Sequence, residues 1–236
     1  MTDEKYHWDA FKTLTHKAYL HLDNIYHSPY VIEYWGSRHG LPFIAELYRQ
    51  GKRGEDPVII GQKQFCDEMF DACRHFVNWD FKRVWKETRP YANQYTCKMN
   101  PSEEGWYRIA PENCPENYGF NAVPLSVPQP GSVVEVEFRG EAGREDYNSV
   151  HPEKAGWRYG FVAVTREGES VYGEMENNTE GVVKYVAPKD VPLANLWLVV
   201  MGAPTEHWMN PISGEKDAQW PYKIKITGSF LLTSAN

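Results

Sequence analysis

Aromatic rings set among polar side chains are the residues of this 236-residue sequence best suited to chemistry. Trp208 stands between His207 and Asn210, with Glu206 close by, in a long segment that is otherwise polar. Such rings can stack on the face of a sugar while neighbouring amides and carboxylates fix its orientation. The alternative is that the rings fill the core. The predicted ligand-binding set is Trp157, Tyr172, His207, Trp208, Asn210 and Trp220.

Motifs that would mark a catalytic centre are missing from the sequence. There is no HExxH, no GxSxG, no phosphate-binding loop, no GxGxxG and no EF-hand loop. The neighbours Ser37 and His39 lack the glycine spacing of a nucleophile elbow and indicate a turn. His16 and His21 are five positions apart, whereas metal ligands on one helical face are three or four apart. We predict no catalytic motif, no metal and no cofactor, and the sequence leaves enzymatic activity open.

A group of carboxylates lies on one predicted helix, at Asp67, Glu68 and Asp71. Three such residues could hold a metal or perform acid–base work. On an amphipathic helix, however, the same residues form the solvated face opposite the apolar stripe. The sequence favours the solvated face.

Charge and hydropathy exclude several classes of partner. The chain has 25 Lys and Arg against 32 Asp and Glu, for a net charge of −7, and it has no basic block. This balance argues against binding to nucleic acid or to an anionic membrane surface. No window approaches the length of apolar sequence that spans a membrane. The apolar fraction of 42% predicts a folded protein.

Helical periodicity dominates the first hundred residues. Between residues 64 and 77, apolar side chains recur at i, i+4, i+8 and i+11, opposite the charged ones. A shorter helix is predicted after Pro42 and ends near Gly51, and another is predicted over residues 8–22. We therefore predict a helical region over residues 1–100.

A period of two replaces this pattern after Pro101. Alternating strands are predicted over 132–139, 157–165, 181–187 and 222–230. Residues 195–201 are continuously apolar, which is typical of a central strand covered on both faces. The proline-rich segment 106–130 is predicted to be a linker that adds an edge strand, and long loops span 140–156 and 203–221. The predicted fold is α+β, with residues 101–236 forming an antiparallel, jelly-roll-like β-sandwich.

The four cysteines fall into two groups. Cys66 and Cys73 share a helix at roughly 10 Å, too far for a disulfide, and are predicted to be small buried hydrophobes. Cys97 and Cys114 flank the junction between the two regions and could pair. No CxxC pair suggests a zinc site.

Seven segments occur in an order that resembles a known family. They are residues 29–35, 54–57, 64–68, 79–80, 91–93, 156–162 and 196–204. The order is similar to the C-terminal part of an uncharacterised family of secreted bacterial proteins, in which a zinc-metallopeptidase-like helical domain precedes a β-sandwich. The resemblance implies that the metal-binding helix lies upstream, since HExxH is absent here, and it transfers no catalytic residue to this sequence.

Three functional hypotheses follow. The leading one is a non-catalytic C-terminal portion of a larger secreted or cell-surface protein, with its signal upstream, whose sandwich binds glycan or glycoprotein. The first alternative is an intact hydrolase that uses dispersed carboxylates and His207. The second is a structural spacer, which predicts that Trp208 and Trp220 are buried. Because residues 1–5 lack the apolar region of a signal peptide, a cytoplasmic location is the alternative to secretion.

Overall fold

A computed structural model describes residues 12–18, 30–50, 62–206 and 217–232. Residues 12–14 are helical, and four α-helices whose bounds are described come next. They are α1 (Tyr30–His39), α2 (Leu41–Gln50), α3 (Gln62–Asn78) and α4 (Trp85–Thr88). Nine strands follow: β1 (Met99–Pro101), β2 (Trp106–Ile109), β3 (Phe120–Leu125), β4 (Val133–Gly140), β5 (Trp157–Thr165), β6 (Ser170–Glu176), β7 (Glu180–Val186), β8 (Leu193–Gly202) and β9 (Tyr222–Thr227). Most of the helix predicted over residues 8–22 lies outside the described residues.

The strands form two antiparallel sheets. The five-stranded sheet has the order β1-β2-β9-β4-β7, and the four-stranded sheet has the order β3-β8-β5-β6. The inner face of the five-stranded sheet carries the predicted alternation: Val134, Val136 and Phe138 are buried. On its outer face Lys184 and Glu135 form an ion pair at 2.6 Å. The period of two thus separates the core from the solvent in this sheet.

The helices cover the second face of the four-stranded sheet, so the molecule has three layers. One core cluster lies between the two sheets, and the other joins α1 and α3 to β3, β5 and β8. Strand β8 belongs to both clusters, because Leu198 faces the other sheet whereas Val199 faces the helices. The prediction of a central strand that is covered on both faces is confirmed.

Helices α2 and α3 lie within two residues of their predicted bounds. The turn predicted at Ser37 and His39 is wrong, because both residues lie in the last turn of α1. Gly40, with a φ of +80°, separates α1 from α2, and Pro42 lies in the first turn of α2. In α3 the apolar stripe faces the sheet: Met69, Cys73 and Phe76 are buried. A stripe at this spacing can only be buried on one side, and the four-stranded sheet provides the matching apolar face.

Strand β3 forms one edge of the four-stranded sheet, as predicted for the proline-rich segment. The prediction that the rest of this segment is a linker is wrong, because it also contains β2, which pairs with β1 and β9 inside the five-stranded sheet. Pro124 lies in β3, and a residue without an N–H is tolerated at an edge. A short segment after β9 covers the outer side of this edge. Ser126 donates to the carbonyl of Phe230 at 2.9 Å, and the N–H of Leu232 donates to the carbonyl of Pro124 at 3.0 Å.

The predicted α+β class, with helices that precede two antiparallel sheets in a sandwich-like arrangement, is confirmed. The change from helix to strand falls between Tyr91 and Met99, close to the predicted boundary at residue 100. Division into two separate domains stays a prediction, and the helices share their core with the four-stranded sheet. In the described part of the chain, no helix is long and apolar enough to cross a membrane.

Candidate functional site

Two rings of the predicted ligand-binding set lie in the core between the sheets. Trp157 and Trp220 are each 1% exposed. The indole N–H of Trp157 donates to the carbonyl of Trp220 at 3.1 Å, and that of Trp220 donates to Oδ1 of Asn117 at 2.9 Å. Both polar atoms are therefore satisfied inside the protein, and neither ring offers a face to a ligand in this structure.

The packing of these rings depends on glycines across the core. A Cβ atom at position 140 would lie 2.3 Å from Trp157, and one at position 202 would lie 2.3 Å from Trp220. Only a residue without a side chain leaves room for the indole at either position. Burial of Trp220 is one half of what the spacer hypothesis predicts; Trp208, its other half, lies outside the described residues.

Tyr172 is partly exposed and lies on the opposite face of the four-stranded sheet. Its ring stacks on His75 of α3 at 4.5 Å between centroids, and its hydroxyl donates to Oδ2 of Asp80 at 2.9 Å. Burial raises the pKa of this phenol, and the charge of Asp80 adds to the effect. The structure therefore does not bring Tyr172 together with Trp157 and Trp220. His207, Trp208 and Asn210 lie outside the described residues, so a shared ligand-binding role for the set stays a prediction.

Asp80, which accepts the hydrogen bond from Tyr172, also lines a cleft between the helical layer and the β5–β6 turn. This hairpin cleft has a volume of about 470 Å³. It is lined by Trp79, Asp80, Phe81, Lys82, Trp85, Arg89, Gly168, Glu169 and Ser170. Clefts of this size are large enough for a small ligand or for part of a polymeric one.

The floor of the hairpin cleft is held by a polar network. Arg89 donates to the carbonyl of Asn78 at 3.1 Å and to that of Gly168 at 2.6 Å. The side chain of Asn78 donates to the same Gly168 carbonyl at 3.0 Å and to Oγ of Ser170 at 2.9 Å. Gly168 adopts a φ of +87°, which favours glycine. The network ties the end of α3 to the turn, so both walls of the cleft are fixed relative to each other.

The rim of the hairpin cleft is chemically mixed. Trp85, the first residue of α4, is 49% exposed. Around it, Asp80, Lys82 and Glu169 are exposed, which places two carboxylates and one ammonium group beside an indole. An aromatic face flanked by hydrogen-bonding groups can bind a polar ring without any covalent chemistry. No histidine or cysteine is among the described residues that line the cleft.

Trp85 was not among the predicted site residues, although the sequence held a signal. It stands in a run of charged residues, from Lys82 to Arg89, where no apolar stripe would bury it. A large ring in such surroundings is expected at the surface. The predicted set lies at strand ends and in long loops, whereas Trp85 lies on a short helix.

The α3 carboxylates are ion-paired at interfaces between elements. Asp67 accepts from Arg158 of β5 at 2.7 Å, and Glu68 lies 3.4 Å from Arg38 of α1. Asp71 accepts from Tyr34, Arg74 and Arg38, the last at 2.9 Å. Burial acts to raise the pKa of Asp71, but its hydrogen bond from Tyr34 and the charge of Arg74 outweigh it, so the pKa is lowered.

These contacts make the carboxylates structural, because each one joins α3 to another element. In the described part of the chain, no group of three or more His, Cys, Asp or Glu residues is arranged to hold a metal ion.

A second cleft, of about 380 Å³, lies on the same side of the sheet near the start of β5. Most of its lining residues are small, and Arg158 and Cys66 are among them. Arg158 is already bonded to Asp67 at 2.7 Å and to the carbonyl of Trp157 at 3.0 Å. The hairpin cleft therefore has more exposed polar side chains that could contact a ligand than this second cleft has.

The fold and the clefts define an α+β protein with a helical layer on a two-sheet sandwich and a candidate binding cleft between the layers. The chain belongs to the family of unknown function DUF6055, whose model matches residues 1–232. The resemblance to an uncharacterised family is confirmed at this level. No curated protein and no solved structure matches the chain.

Proposed function

We propose that this protein is a non-catalytic binding module whose hairpin cleft takes glycan or the glycan of a glycoprotein. The observation that carries the proposal is Trp85, a half-exposed indole at the rim of a polar cleft. The apolar face of a sugar ring covers an exposed indole well, and the hydroxyl groups at the edge of the ring need polar partners. Asp80 and Glu169 offer acceptors, and Lys82 offers donors.

The geometry behind Trp85 supports binding by a preformed site. Asp80 is oriented by the hydroxyl of Tyr172 at 2.9 Å, and the opposite wall is fixed through Arg89 and Gly168. Because these groups are already held in place, a ligand would not have to order them, which favours affinity. The mixture of charges, with two carboxylates and one ammonium at the rim, suits a neutral polar ligand better than a strongly charged one.

The wider context of the proposal rests on the resemblance described above. We place the protein in a secreted or cell-surface setting, as the non-catalytic C-terminal portion of a larger bacterial protein whose zinc-metallopeptidase-like part lies upstream. In that setting the cleft would hold the glycosylated substrate while another part of the protein acts on it. The sequence motifs quoted for the family support this view, and the absence of HExxH from this sequence agrees with it.

A binding experiment with matched variants tests the proposal. Soluble polysaccharides and mucin-type glycans are titrated against the wild-type chain, Trp85→Ala and Tyr48→Ala by calorimetry. Tyr48 is 62% exposed on α2 and does not line the cleft, so it controls for the loss of any surface ring. We expect the loss of Trp85 to weaken saturable binding about tenfold, whereas Tyr48→Ala leaves it unchanged. Equal affinity of Trp85→Ala and wild type, or no binding by the folded wild type, would overturn the proposal.

A further inference from the structure

The two cysteines outside α3 both belong to the packing between the sheets. Two hydrogen bonds join the segments that carry them: the N–H of Ala110 donates to the carbonyl of Lys98 at 3.0 Å, and the N–H of Lys98 donates to the side-chain Oδ1 of Asn113 at 3.1 Å. Cys97 and Cys114 are the next residues outward from this hydrogen-bonded pair of segments. The turn over residues 111–113 then folds back, with the N–H of Cys114 donating to the carbonyl of Pro111 at 3.3 Å.

Both cysteines lie in the same part of the core as Tyr222 of β9. Cys97 is hydrogen-bonded to the Tyr222 hydroxyl, and that hydroxyl donates its own proton to Oδ1 of Asn121 at 2.9 Å. Cys114 is fully buried and packs in the cluster between the sheets, and Cys97 packs against the same cluster. Burial raises the pKa of the Cys114 thiol, and the charge of Glu116 adds to the effect.

We propose that Cys97 and Cys114 form an intramolecular disulfide when the chain folds in the presence of a disulfide oxidant. Both cysteines are free in this structure. The bond would staple the segment that leaves the helical layer to the loop that enters β3. This covalent link goes beyond the proposed glycan binding and does not depend on it.

The chemistry balances with a small disulfide such as oxidised glutathione. The thiolate of Cys97, the more exposed of the two, attacks one sulfur of the oxidant and releases one reduced glutathione. The thiolate of Cys114 then attacks the Cys97 sulfur of the mixed disulfide and releases the second. Two protein thiols are oxidised, one oxidant disulfide is reduced, and two protons pass to the released thiolates.

Because both thiols are buried in the folded protein, we expect the disulfide to form during folding and not afterwards. Burial raises the pKa of both thiols, so that the folded protein holds little of the reactive thiolate. Exchange is then slow in the native state and fast while the segments are still open. Once formed between the sheets, the bond is shielded from reductants by the same packing.

A trypsin digest distinguishes this pair from the other cysteines. Cleavage after Lys86, Lys98, Arg108 and Arg139 places Cys97 in residues 87–98 and Cys114 in residues 109–139. Cys66 and Cys73 share residues 64–74, which serve as the internal control. The full chain is unfolded in urea, refolded in glutathione redox buffer, alkylated and digested without reduction. We expect the two peptides as one linked species, with Cys66 and Cys73 alkylated.

Stability measurements provide the second readout. Oxidised wild type is expected to have an unfolding equilibrium constant about 100-fold lower than reduced wild type, whereas Cys97→Ala should show no dependence on redox conditions. Cys73→Ala, also at a buried cysteine, should keep the redox dependence of the wild type. Four alkylated thiols, a stable mixed disulfide with glutathione, or linkage to Cys66 or Cys73 would each overturn the proposal.

Discussion

Asp71 accepts hydrogen bonds from donors on two helices, and its negative charge stabilises the contact between them. Tyr34 and Arg38 reach it from α1, and Arg74 reaches it from its own helix. Partial burial removes some of the water that would hydrate this carboxylate. The three donors replace that water and stabilise the negative charge. The contact therefore stabilises the packing of α1 on α3.

Substitution of Asp71 by Asn is expected to lower the free energy of unfolding by about 2 kcal/mol at neutral pH. The folded pKa of Asp71 is lowered from its ordinary value of 3.8. The stabilisation is therefore complete above that value and is lost as the pH falls through the lower folded pKa. Urea titrations from pH 7 to pH 2 should show the difference between wild type and Asp71→Asn shrinking at the acidic end.

An exposed ion pair gives the control for this prediction. Glu46 and Arg49 lie 2.6 Å apart on α2, with both side chains largely in solvent. Glu46→Gln should change the free energy of unfolding by less than about 0.5 kcal/mol, because solvent screens such a pair. If the two substitutions cost the same, the interface role assigned to Asp71 is wrong.

Elements in this protein are joined where a glycine lets a large ring approach the backbone. A Cβ atom at Gly202, the last residue of β8, would lie 2.3 Å from the Trp220 ring and 2.5 Å from the carbonyl oxygen of Glu116. The backbone oxygen cannot move without disrupting the loop that carries it. The end of β8 therefore depends on the missing side chain.

Gly202→Ala is expected to destabilise the protein by about 3 kcal/mol through overpacking. Gly36→Ala is the matched substitution, because a Cβ at that position in α1 would meet nothing within 4 Å. There the change should stabilise the helix by up to about 1 kcal/mol. Chemical denaturation of both variants measures the difference, and similar effects from the two would contradict the packing described for Trp220.

Long periodic elements were predictable from the sequence, whereas the position of each ring was not. The apolar stripe of α3 predicts a helix that is buried on one side, and the continuous apolar run of β8 predicts a strand that is buried on both faces. Trp157 and Trp220 carry no such signal, since a ring at a strand end can face solvent or core. Their placement is decided by Gly140 and Gly202, which are distant in sequence and become neighbours only through strand pairing.

The short strands and the hairpin cleft were missed for a related reason. Strands β1 and β2 contain only three and four residues, too few to show a period. The cleft combines residues 79–89 with residues 168–170, and no local pattern links these segments. Its polar floor, with Arg89 bonded to Gly168 at 2.6 Å, exists only in the folded chain.

At the scale of the whole molecule, the helices act as the third layer of a shared core. Trp197, Val199 and Met201 of β8 face them, together with Phe120 of β3. Phe76 stacks on Phe120 at 6.2 Å between ring centroids, and Trp197 donates to Oδ1 of Asn93 at 3.1 Å. Removing the helices would expose this apolar face and leave polar groups unpaired.

A chain of residues 99–232 alone is therefore expected to aggregate or to bind a hydrophobic dye, unlike the full chain. An exposed apolar face of this kind is an interaction surface, and in isolation it favours association. Size-exclusion chromatography and dye fluorescence compare the two chains under identical conditions. A monomeric, cooperatively unfolding product would instead show that the sandwich is an independent domain, as the sequence-based boundary at residue 100 suggested.

The segment that covers the outer side of β3 affects how readily this protein aggregates at high concentration. An uncovered strand edge is a template on which the next chain can add, and repeated addition leads to fibres. Here Pro124 removes one donor from that edge, and residues 230–232 occupy part of the rest. A few residues after β9 thus cover this edge of the four-stranded sheet and help to prevent a strand of another molecule from pairing with it.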